Sequence, residues 1–91
     1  MANTDTISLQ QLPSSEAELD SWVRQLTQAI NAEIREHEVG ADQYCWRLSI
    51  QGKHYLLFYS ELCIAAWLEP LENLDNKVLH LLEAAGYVTK V

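Results

Sequence analysis

A chain of 91 residues, 48% apolar and 21% charged with three glycines and two prolines, has the composition of one globular domain, which excludes fibrous and low-complexity classes. Thirteen acidic against six basic side chains give a net charge of -7, which repels phosphate backbones and anionic lipid headgroups and argues against nucleic acid or a membrane surface as partner. The cations are scattered, and the longest apolar run, Leu62 to Leu68, is far short of the roughly 20 residues of a membrane-crossing helix.

Residues 1–6 are mostly polar and predict a disordered N-terminus ahead of a single domain over residues 7–91. They lack the apolar region of a secretory signal, so Cys45 and Cys63 are expected as reduced thiols in a cytoplasmic protein. Ile7-Ser8-Leu9 alternates ahead of Pro13, the pattern of a short edge strand. Ser15 followed by Glu18 forms a capping-box pattern, and the helix it opens has the stripe Leu19, Trp22, Val23, Leu26, Ala29, Ile30 and Ile34. Glu36 to Asp42 then breaks the helical period, and Gly40 suits a corner between helix and strand.

Tyr44 to Tyr59 reads as one β-hairpin turning at Gln51-Gly52 or Gly52-Lys53. Either turn has the same parity and places Tyr44, Trp46, Leu48, Ile50, Tyr55, Leu57 and Tyr59 on a core face. Cys45, Arg47, Ser49, His54, Leu56 and Phe58 fall on the other. Leu62 to Leu68 is read as a third strand in preference to a short helix, with the face of Trp67 left open. Beyond Pro70, Leu71, Leu74, Val78, Leu81, Leu82 and Ala85 recur at helical spacing up to a terminating Gly86, and Tyr87 to Val91 suits a weak last strand or a frayed end. The order β-α-β-β-β-α, with an optional final strand, predicts an α+β two-layer sandwich: an antiparallel sheet of three to five strands with two helices on one face.

Gly40-Ala41-Asp42, Trp46, Gly52, Leu57 with Tyr59-Ser60-Glu61, and Trp67-Leu68-Glu69 together give a pattern over the middle of the chain. It resembles that of a family of small bacterial proteins of about this length whose function is not known. The resemblance implies a bacterial cytosolic domain, favours a strand at Trp67-Leu68-Glu69, and brings no catalytic role with it.

The residues themselves assemble little chemistry. His37, His54 and His80 lie in separate elements without a second ligand at a recognised spacing, and Glu36-His37-Glu38 reads as a solvated cluster, so no metal and no cofactor is expected. Arg47 beside Cys45 would favour a thiolate, and His54 shares their face, yet the register separates Cys45 from His54 by several residues. Cys63 reads as a small core residue, and Trp22 and Trp46 as core. Glu61 and Glu69 stand at the two ends of the third strand, too far apart to share a proton.

What remains is the outer hairpin face, where Cys45, Leu56 and Phe58 form an apolar patch flanked by Arg47 and His54. These five residues are the expected contact surface for a protein partner or for a second copy packed back to back. The sequence therefore predicts a small acidic interaction or regulatory domain without catalysis, acting through the outer sheet face or an edge strand. The alternatives are a small enzyme or ligand binder using Cys45 and His54, and an acidic chaperone of the secretion type.

Overall fold

A computed structural model describes residues 6–72 and 75–88. The elements in chain order are β1 (Ile7–Ser8), a 3-10 turn (Glu16–Glu18), α1 (Leu19–Ala29), β2 (Glu33–Val39), β3 (Gln43–Ile50), β4 (Lys53–Ser60), β5 (Ala65–Pro70) and α2 (Asn76–Ala85). The strands form one five-stranded antiparallel sheet in the order β1-β5-β4-β3-β2, with the predicted hairpin, β3 and β4, inside it. This is the α+β architecture that the alternation and the two helical stripes predict.

The hairpin turn decides the register. Gln51 (φ 52°) and Gly52 (φ 83°) both adopt the left-handed conformation, the two-residue turn whose twist matches that of the flanking strands. Ile50 then pairs with Lys53, Trp46 with Leu57 and Cys45 with Phe58. Alternate residues consequently face opposite sides of the sheet. Tyr44, Trp46, Leu48 and Ile50 are buried with Tyr55, Leu57 and Tyr59, under a layer built by Leu19, Trp22, Val23, Leu26 and Ile30 from the first helical segment and Val78 and Leu82 from α2. Each such side chain, fully buried, contributes about 1.5–3 kcal/mol.

The helix ends earlier than its apolar stripe suggests. Asn31 adopts the left-handed conformation (φ 57°) just beyond α1, where a residue with a short polar side chain is the usual alternative to glycine. The chain then reverses into β2, so Ile34 belongs to a strand and is exposed, and the expected corner over residues 36–42 shrinks to Gly40–Asp42. β2 escaped recognition because its register shifts between Ile34 and Glu36, leaving Arg35 as the extra residue of a bulge that breaks the period of two. The start of the first helix also differs from the capping box. Glu18 accepts from the Ser14 N–H (3.2 Å), Ser15 makes no side-chain cap, and a 3-10 turn precedes α1.

The third strand of the expected meander is β5, which begins three residues later than its apolar run. Reversing direction after β4 requires a turn, and Glu61 to Ile64 supply it, with the Cys63 N–H donating to Ser60 Oγ (3.2 Å). Cys63 is therefore exposed and does not belong to the core. α2 begins at an Asp75 cap whose Oδ1 accepts from the Lys77 N–H (2.9 Å) and ends at Gly86 (φ 87°). There the Tyr87 N–H reaches Leu82 O and the Gly86 N–H reaches Glu83 O, a Schellman ending that folds the buried Tyr87 back onto the core. Leu71 precedes this helix and is half exposed. Residues 1–5, Leu74 and the last three residues lie outside the described ones; Tyr87 and Val88 are not in a strand.

Candidate functional site: the outer sheet face

The face turned away from the helices is built by the odd positions of β3 and β5 and the even positions of β4. Two cross-strand rows dominate it: Glu38–Cys45–Phe58–Trp67, and Glu36–Arg47–Leu56–Glu69. The hairpin and β5 residues of these two rows are half-buried, whereas their neighbours along the same strands are buried. Phe58 and Trp67 stack with centroids 5.3 Å apart and planes 18° from parallel. Trp67 Nε1 donates to Glu69 Oε2 (2.9 Å), and Arg47 Nη2 donates to Glu36 Oε2 (3.0 Å), so the groups rimming the apolar patch hold fixed positions. An open groove of about 460 Å³ runs over Cys45, Leu56 and Phe58 and is also lined by Arg47 and the carboxylates Glu36 and Glu38.

Four of the five residues expected at a contact surface, Cys45, Arg47, Leu56 and Phe58, line this one groove. His54 shares the face but lies beside the turn, opposite Ser49, and does not line it. Four residues of strand separate its row from that of Cys45, about 13 Å, far beyond hydrogen-bond reach. The expectation that Arg47 would favour a Cys45 thiolate is also overturned. Burial pushes the Cys45 thiol up, and the nearby Glu38 and Glu69 carboxylates push it further, while the Arg47 guanidinium is engaged by Glu36. A half-buried thiol among carboxylates is a poor nucleophile. Among the described residues no group of three His, Cys, Asp or Glu side chains gathers into a metal cage.

Sequence reasoning left out Trp67 and Glu69 and did not place Glu36 and Glu38 on this face. Trp67 was legible in principle. A carboxylate at position 69 does not face a core, and with Ala66 and Leu68 as the inward pair its parity puts the indole outside. Glu36 and Glu38 needed β2 and its bulge.

The model of a family described as "Protein of unknown function (DUF3630)" matches residues 2–85. The chain belongs to that family. The match runs from ahead of β1 to the last residue of α2 and so takes in every element that builds the outer face. No curated protein and no solved structure matches the chain.

On the opposite face, the margin beyond α1 carries a second cluster. His37 lies against Trp46 (centroids 5.0 Å, 8°), and Trp46 against Tyr44 (6.0 Å, 12°). The Tyr44 hydroxyl donates to the Glu16 carboxylate, and this bond, with burial and the negative charge of Glu16, pushes the phenol up to about 12. No helix among the described residues is long and apolar enough to cross a membrane.

Proposed function

We propose that this chain is a non-catalytic protein-binding domain that seats its partner on the outer sheet face. The observation that carries the reading is the Phe58–Trp67 stack, an aromatic pair held half-open on a sheet face that no described helix covers. Aromatic side chains fixed before binding make strong anchors, because little rotamer entropy is lost on contact, and the Trp67–Glu69 hydrogen bond supplies that fixing. The occupant is a partner that lays an apolar side chain on this pair and brings positive charge to Glu36, Glu38 and Glu69. The net charge of -7 favours such a surface, whereas a second copy would set the same glutamates face to face. The raised Cys45 thiol and its separation from His54 support a role without catalysis. Two free thiols and the acidic charge fit a bacterial cytoplasmic setting.

A photoreactive benzophenone side chain at Ser49, on the margin of this face, tests the reading in living cells alongside light scattering of the purified chain. A monomer that cross-links to a protein with a basic contact surface, and loses that product with Phe58→Asp, supports it. Cross-linking that ignores Phe58→Asp overturns it, and so does a dimer that Phe58→Asp dissociates, since the occupant is then a second copy.

A further inference from the structure

We propose that β2 is a second docking surface, where a partner polypeptide adds to the sheet edge as a further strand with basic side chains on the outer face and apolar ones on the inner face. β2 closes one end of the strand order, and all seven of its residues are exposed, whereas the opposite edge is the two-residue β1. Its outward N–H and C=O groups thus face a place where a strand can be added.

The side chains of β2 specify what kind of strand. Glu36 and Glu38 point to the outer face, because they pair with Arg47 and Cys45. Glu36 already holds Arg47, and Glu38 has no ion-pair partner among the described residues, so Glu38 is the stronger attractor for a cation. Ile34, His37 and Val39 point to the inner face opposite Leu48, Trp46 and Tyr44, and α1 leaves Ile34 47% and Val39 62% exposed. A crevice of about 210 Å³ between α1 and β2, lined by Val23, Ile34, His37 and Trp46 with Asp20 and Arg24 from α1, offers a partly apolar floor to the inward side chains of an added strand. The bulge at Arg35 twists the edge, so regular pairing runs along Glu36–Val39.

A second β2 does not fit the same edge, because pairing two copies sets glutamates beside glutamates, and like charges across a strand pair destabilise it. The carboxylates thereby guard against self-association and select an alternating basic-apolar strand. This surface shares Glu36 and Glu38 with the outer groove, but strand addition at the β2 edge makes no use of the Phe58–Trp67 pair.

The test uses the isotope-labelled full chain at low salt and three probe peptides: alternating lysine and valine, alternating glutamate and valine, and the lysine-valine composition rearranged into two blocks. The alternating lysine peptide is expected to bind and to slow amide exchange at residues 36–39, with the blocked and acidic peptides at least about tenfold weaker. Glu38→Lys, with unfolding unchanged as the check on its fold, is expected to weaken binding about tenfold, and Phe58→Asp to leave it unaltered. Equal binding of the blocked peptide would reduce the effect to bulk charge and overturn the proposal. Binding without amide protection in β2, or binding abolished by Phe58→Asp, would overturn it too, the latter by moving the peptide to the outer face.

Discussion

The two faces of one sheet share every backbone atom and differ in everything else. Along β3, Tyr44, Trp46, Leu48 and Ile50 are buried, while Cys45, Arg47 and Ser49 between them are half-buried. Two tryptophans in mid-strand show the contrast best. Trp46 lies under the helices, 3% exposed, and Trp67 stands on the other side against Phe58 with its indole N–H tied to a carboxylate. An identical side chain serves stability in one place and is presented in the other, because two helices lie over one face and no described helix lies over its reverse.

The largest expected effect is on the inner face. Trp46→Ala should cost about 3–5 kcal/mol in denaturant unfolding, the usual loss when a large buried aromatic leaves a cavity. Gly86→Ala tests how firmly the helical layer is fastened to that face. Its left-handed backbone is strained by any Cβ, and a methyl group there displaces the Gln11 side-chain amide that donates to Gly86 O (2.7 Å), so a loss of about 1–3 kcal/mol is expected by the same measurement. Phe58→Asp, on the outer face, should cost only about 1 kcal/mol, mostly the cross-strand contact with Trp67. If it unfolded the chain as badly as Trp46→Ala, the division between the faces would collapse.

A further effect concerns alkaline pH. A phenol raised from 10 to about 12 in the folded chain keeps its proton more tightly there than in the unfolded chain. The contribution is therefore complete below pH 10 and is lost as pH climbs toward about 12. Stability measured across that window should fall, and Tyr44→Phe should flatten part of the fall, leaving the share of Tyr55 and Tyr87, whose phenols burial also raises. An unchanged slope in Tyr44→Phe would mean that the Tyr44–Glu16 bond does not couple to folding.

Much of this was legible along the chain. Strict alternation on both sides of Gln51-Gly52 announces the hairpin and its facing, and the apolar spacing after Pro70 with Gly86 at its end announces α2. The misreadings share one cause. Ile34 continues a helical stripe by spacing alone, and Leu62, Cys63 and Ile64 continue an apolar run, but both segments sit where the chain must reverse direction. Asn31 and Ile64 do so with positive φ (57° and 51°), and Ile64, being β-branched, gives no compositional hint of it.

By itself the sequence determined the periodicities, and with them which side chains share a face, because alternation in a strand and the helical repeat are local geometry. It also determined the net charge of -7. Only the tertiary structure decided that Glu33–Val39 is an edge strand, that Trp67 meets Phe58, and that Glu36, Glu38 and Glu69 rim the patch. Those outcomes depend on which strands become neighbours, and that is set by turns and by burial under the helices, which act between residues far apart in the chain.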